Sequence, residues 1–162
     1  MTNLFRMMIL LVGVMLSSAL QAQLPTGSQA PPLELPDASG KKISLASYRG
    51  KWVLVDFWAS WCMPCRASNR AVRKFYPQWK QKGLEVFGVS LDEDRADWLK
   101  AVKQDRITWV QVNTPAQWDS EMVAKWQFSQ IPTTYLIDPK GIIRAVDPDP
   151  GNILSMINTA SK

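Results

Sequence analysis

The chain has 162 residues, a length that suggests one domain. Nineteen lysines and arginines stand against 14 acidic residues, a net charge of +5, and there are two cysteines and no histidine. Those counts exclude Ser-His-Asp and Cys-His catalysis within the chain, a closed zinc site of four Cys or His ligands, and a framework of several disulfides.

In chain order, residues 1–22 have the layout of a signal peptide. Met1–Arg6 carries one positive charge, Met7–Leu16 is an unbroken apolar run, and Ser17–Ala22 is small and polar. The apolar run is short against the ~20 residues that a spanning helix needs, so a cleaved signal is expected ahead of a membrane anchor. Residues 23–30 are polar and read as a flexible leader, with the folded domain spanning 31–162. Pro31–Leu35 and Lys42–Leu45 flank the turn-rich Asp37-Ala38-Ser39-Gly40 and predict a hairpin. Trp52–Trp58 (WVLVDFW) is nearly all apolar, as a strand covered on both faces should be. Met63 to about Lys82 predicts a helix with Val72, Phe75, Tyr76 and Trp79 as its core stripe. Pro77 should kink or interrupt that helix.

Further on, Glu85–Leu91 predicts a strand, Asp92–Gln104 a helix, Trp109–Val112 a short strand and Gln117–Trp126 a short helix. Thr133–Asp138 and Ile142–Val146 form a second hairpin around Pro139-Lys140-Gly141. Asp149-Pro150 has the form of an N-cap followed by Pro at the first helical position, opening a last helix that runs to about Ala160. Strands alternating with helices imply an α/β sandwich. The basic residues are scattered, among them Lys41, Arg49, Arg66, Arg70, Arg73 and Lys80, and read as solvated faces. No nucleic-acid partner is expected, and no motif calls for a cofactor or a metal ion.

Chemistry concentrates where the apolar strand meets the first long helix. Cys62-Met63-Pro64-Cys65 is a C-x-x-C at a helix start, the pattern of a redox pair. Unpaired N–H groups and the helix dipole favour a thiolate at Cys62. Cys65 lies one turn on, within reach for a small-ring disulfide. As a permanent brace such a bond would stabilise little, because the loop that it closes is so short. Asp56 sits six residues before Cys62, inside the apolar strand. Burial would raise its pKa and suit it to move a proton near neutral pH; the alternative is a strand-end carboxylate facing solvent. Of the eight tryptophans, Trp58 is expected in the core and Trp61 at the rim of the site. Trp79, Trp98, Trp109, Trp118 and Trp126 are assigned to core or groove.

At VDFWASWCMPC (Val55–Cys65) and IPTTYLID (Ile131–Asp138) the chain resembles the thioredoxin superfamily. In finer detail it resembles the exported TlpA/ResA-like thiol-disulfide oxidoreductases, through Ala30–Asp37, Ile43–Trp58, Gly83–Asp94 and an extra α/β segment around Asp92–Trp126. The resemblance implies a thioredoxin-like three-layer sandwich with a central mixed sheet, an N-terminal β-hairpin and an α/β insertion. It implies Cys62 as nucleophile, Cys65 as resolving cysteine, Asp56 as buried acid, and Pro132 as the cis-proline beside Ile131, whose backbone pairs with substrate. Trp61, Met63 and Pro64 join Ile131 and Pro132 as candidate substrate contacts. The implied partners are disulfide-containing or dithiol proteins and an envelope electron donor or acceptor, for a periplasmic or otherwise exported monomer. Two positions depart from the pattern. Ser68 stands where many TlpA/ResA-like proteins carry Glu, and Gly88 falls where thioredoxins place a lysine partner for the buried acid. Two further readings stay open: a peroxiredoxin-like peroxidase, and a redox-coupled binding or chaperone module.

Overall fold

The computed structural model describes residues 23–160. The predicted signal segment, residues 1–22, lies outside the described residues. No helix among those described is long and apolar enough to cross a membrane.

Strand β1 (Glu34–Pro36) and strand β2 (Lys42–Ser44) pair as the small antiparallel hairpin, and a 3-10 turn at Leu45–Tyr48 follows. Then come β3 (Trp52–Trp58), α1 (Met63–Gln81), β4 (Leu84–Ser90), α2 (Arg95–Gln104) and β5 (Val110–Asn113). A 3-10 turn at Gln117–Asp119 leads into α3 (Glu121–Trp126), and β6 (Thr133–Ile137), β7 (Ile143–Val146) and α4 (Ile153–Ala160) complete the chain. Five strands make one mixed sheet in the order β5-β4-β3-β6-β7. The pairs β3–β4 and β4–β5 are parallel, and β3–β6 and β6–β7 antiparallel.

Every residue of β3 is buried, because the strand is central and covered on both faces. Its alternation sends Trp52, Leu54 and Trp58 to one core, with Val72, Tyr76 and Trp79 of α1, Trp98 of α2 and Ile153 and Ile157 of α4. Val53, Val55 and Phe57 point the other way, to Leu33, Leu45, Val123, Trp126 and Phe128. Both parallel crossovers advance in the same direction across the sheet, so α1 and α2 share a face. The hairpin and α3 cover the opposite one, giving three layers.

Three expectations are corrected. Residues 27–30 of the expected flexible leader lie along the outer edge of β7. Gly27 N–H donates to Ile143 O (2.8 Å), Ile143 N–H to Ser28 O (2.9 Å) and Ala30 N–H to Gly141 O (2.9 Å). They pair backbone groups that an edge strand would otherwise leave open. Pro77 does not interrupt α1, which continues to Gln81. Pro77 is exposed while Val72, Tyr76 and Trp79 hold the opposite face to the core, so the lost hydrogen bond falls on the solvent side. Asp149 does not cap the last helix, which begins at Ile153. It closes a turn instead, its Oδ1 accepting from Gly151 N–H (2.8 Å) and its carbonyl from Asn152 N–H (2.9 Å).

Candidate active site

Strand β3 ends at Trp58, and the loop Ala59-Ser60-Trp61 turns the chain into α1. Cys62 is the N-cap of that helix, and its Sγ accepts from Cys65 N–H at 3.2 Å. Pro64 falls in the first turn, where a missing N–H costs nothing. Cys62 and Cys65 are joined by a disulfide, with S–S 2.08 Å and Cα–Cα 5.2 Å. Cys65 is 1% exposed and Cys62 7%, so an incoming sulfur has the better approach to Cys62.

The loop is held from two sides. Asp92, buried just past β4, accepts from Ser60 N–H at 3.0 Å, from Ser60 Oγ–H at 2.5 Å and from Ser90 Oγ–H at 2.7 Å. Arg66, next to Cys65, donates to Ser60 O (3.2 Å) and forms an ion pair with buried Asp105 at the end of α2. The cis Ile131–Pro132 peptide lies beside Cys62. The Ile131 carbonyl oxygen lies 3.8 Å from Cys62 Sγ. Trp61 and Met63, the chain neighbours of Cys62, are 54% and 69% exposed and make an apolar rim beside it. Trp58 is fully buried, as expected of it, and among the other tryptophans only Trp118 is exposed.

Asp56 is buried on the α1 side of the sheet, which removes the solvent-facing alternative. Neither of its carboxylate oxygens has a hydrogen-bond partner among the described residues. Burial, with a smaller contribution from the charge of Asp147, pushes its pKa up to about 7. On one side its register partner is Gly88, and Gly88 pairs in turn with Gln111. A Cβ at Gly88 would stand 2.0 Å from Gln111 Nε2, so the amide fills the place of the missing side chain. Gln111 Oε1 accepts from Trp58 Nε1–H at 2.9 Å. On the other side Asp56 pairs with Thr134 of β6. Asn69, one helical turn after Cys65, is also fully buried and unpartnered. A polar row thus crosses the otherwise apolar α1 side of the sheet.

The sequence matches the AhpC/TSA family over residues 26–146. The chain belongs to that family. It is also 31% identical over 151 residues to the thiol-disulfide oxidoreductase ResA of Bacillus cereus, covering 85% of this chain and 83% of that one. Among solved structures, the thioredoxin domain of a thiol-disulfide oxidoreductase from Bacteroides vulgatus superposes with TM-score 0.78. The two are 32% identical over 86% of this chain and 99% of that one. A thiol:disulfide interchange protein from a Bacteroides species gives TM-score 0.75 at 33% identity, covering 84% and 90%. With its C-x-x-C disulfide, this AhpC/TSA-family member is a thiol-disulfide oxidoreductase, and protein thiols and disulfides are its class of substrate.

The fold brings all the predicted site residues of this oxidoreductase to one end of β3 and the facing β6 loop. Asp92, Arg66, Asp105, Asn69 and Gln111 were not anticipated. Two had a signal in the sequence. Asn69 interrupts the apolar stripe of α1, and Gln111 interrupts the VQV alternation on a face that should be core. Asp92 and Asp105 had none, because an Asp beside a helix boundary reads as a cap.

Proposed function

We propose that the enzyme reduces disulfides of exported proteins in the cell envelope, with Cys62 as nucleophile, Cys65 as resolving thiol and Asp56 as the proton acceptor. The Cys62 thiolate attacks one sulfur of a target disulfide, forming a mixed disulfide and releasing the first target thiolate. The substrate strand lies against Ile131 and Pro132, with Trp61, Met63 and Pro64 on its other side. Cys65 then gives its proton to Asp56 and attacks Cys62 Sγ. The second target thiolate leaves and the Cys62–Cys65 disulfide closes. The target has gained two electrons, and an envelope dithiol donor must return two to the enzyme. Residues 1–22 would direct export, as a signal peptide, of a domain that acts as a monomer.

The observation that carries this reading is the buried, unpartnered Asp56 on the strand that leads into the C-x-x-C disulfide, in a chain without histidine. It supports Asp56 as the group that takes the Cys65 proton. A peroxidase reading fits the loop less well. No threonine lies in Ala59-Ser60-Trp61, and the nearby Arg66 guanidinium is engaged by Asp105 and Ser60 O.

The test is the reaction of the reduced enzyme with 5,5′-dithiobis(2-nitrobenzoate). A first thionitrobenzoate should appear as Cys62 reacts and a second as Cys65 resolves. Cys62→Ser should remove the fast phase, and Cys65→Ser should stop after one equivalent. Asp56→Asn should slow the second phase by about a hundredfold, the low end for loss of a general base. A second phase unaffected by Asp56→Asn would refute the proton role. Binding of partner proteins as the activity that survives Cys62→Ala and Cys65→Ala would favour the binding-module reading, and turnover of hydrogen peroxide as fast as of protein disulfides would favour the peroxidase.

A further inference from the structure

Asp56 is sealed from water, yet on the reading above it must gain and lose a proton in every cycle. The β6 side of Asp56 carries groups suited to that exchange. Next to Asp56 on the sheet, on the β6 side, is Thr134, its register partner. Thr134 Oγ1–H and N–H both point to Asp147 Oδ1, at 3.4 and 2.7 Å. Gln23 Nε2–H reaches the other oxygen, Asp147 Oδ2, at 3.4 Å. Thr134 and Asp147 line a cavity of about 210 Å³ together with Leu54, Ser68, Val72 and Pro132. Asp56 does not line the cavity itself; its neighbours on the sheet, Thr134 beside it and Leu54 two residues before it on β3, do. Its size and hydroxyl-bearing wall suit water.

Among the described residues, Asp147 is the charged group that acts on Asp56. Helix α1 turns Cys65, Asn69 and Val72 to the sheet. Its Arg66 and Arg70 are paired with Asp105, and Arg73 shares their flank by helical spacing. Strand β4 contributes Gly88, β5 contributes Gln111, and α4 contributes Ile153 and Ile157. Asp147, just past the end of β7, is the charged group whose field adds to burial in raising the Asp56 pKa. Position 68 is a serine on the same cavity, so a carboxylate reaches this space from the end of β7 and not from α1.

We propose that Asp147 is the second carboxylate of the redox centre: a positioning residue that stands between Asp56 and solvent at the mouth of this cavity and governs its proton exchange. This rests on the assignment of Asp56 as the acceptor of the Cys65 proton. Taking that proton makes Asp56 neutral. Asp147 and the cavity water then draw it outward, and the ionised pair is restored for the next cycle.

Asp147→Asn is the suitable variant. Asp147 has φ +47°, a left-handed conformation that Asn tolerates, and an amide oxygen can still accept from Thr134 N–H. The pH profile of the second thionitrobenzoate phase should then change in two ways. Its midpoint should move to lower pH, because a like charge is gone. Its alkaline plateau should fall severalfold, because the weaker base removes the Cys65 proton more slowly. Asp147→Glu keeps the charge and should hold the midpoint near that of the parent. Thr134→Val leaves the carboxylate and the backbone bond in place and should lower the rate as well. A purely structural role would lower the rate at all pH values without moving the midpoint, and that result overturns the proposal. So does an Asp147→Asn profile that matches the parent while Asp56→Asn remains slow, an outcome that leaves the role of Asp56 standing. If Asp56→Asn itself has no effect, the underlying reading fails and this proposal with it.

Discussion

Asp56 governs the stability of the folded protein as well as its chemistry. Its pKa rises from 3.8 to about 7 on folding, so across that window the folded chain keeps a proton that the unfolded chain has lost. Stability therefore falls as pH rises from about 4 to 7, and the full cost is present above 7. At ~1.4 kcal/mol per unit, that cost is on the order of a few kcal/mol. Asp56→Asn should remove it. The oxidised variant should melt roughly 5–10 °C higher at pH 8 and gain little near pH 4. Thermal melts of both proteins across pH 4–8 check this, and an equal gain at every pH would contradict it. At this scale the sequence was informative. A lone carboxylate amid VLV and FW favours burial over a solvent-facing strand end, and two cysteines three apart at a helix start can meet. What it did not convey was the company of Asp56. Gln111, Asn69 and Asp147 come from three other elements, and only tertiary packing sets them around one strand.

The loop between β3 and α1 keeps its shape through elements on either side of it. Asp92 accepts several hydrogen bonds from Ser60 and Ser90, and the Arg66–Asp105 pair ties α1 to the end of α2. Asp92→Ala would leave Ser60 N–H without its acceptor, at a cost of about 1–3 kcal/mol. It should also slow the first thionitrobenzoate phase, because Cys62 is displaced from the helix start. Chemical denaturation together with stopped-flow kinetics measures both, and an unchanged first phase would show that the loop holds its shape alone. Gly88→Ala tests the neighbouring row. A methyl group there must push Gln111 aside and break its bond to Trp58 Nε1. Loss of stability with a changed tryptophan emission is expected. An unperturbed protein would mean that the strands can part to admit the methyl. Element types were legible from periodicity: the seven buried residues of β3 and the stripe of α1 fall where the pattern puts them. The boundaries that slipped are those where side chains choose between a cap and a turn, as at Asp149.

The whole molecule joins a redox-family core to additions at its edges. The mixed sheet supplies the site, α2 and β5 extend it on one side, and residues 27–30 close the other edge along β7. That closure was not legible in the sequence, because a polar segment with Gly and Ser has no pattern of its own and is ordered only by the open edge beside it. Deleting residues 23–30 should lower stability and expose β7 to intermolecular pairing, seen as aggregation in light scattering. A monodisperse, equally stable deletion would show that the edge needs no cover. The α/β sandwich, in contrast, followed from the succession of strands and helices, and the leading hairpin from its turn-rich tetrad. The same arrangement makes the Cys62–Cys65 bond one that must open and close in service. The central claim, a reductant cycling this pair, is tested most directly by its reduction potential in equilibrium with a glutathione redox buffer. A value near about −270 mV, as for thioredoxin, is predicted; one near about −120 mV, as for DsbA, would make the protein an oxidant and contradict the account.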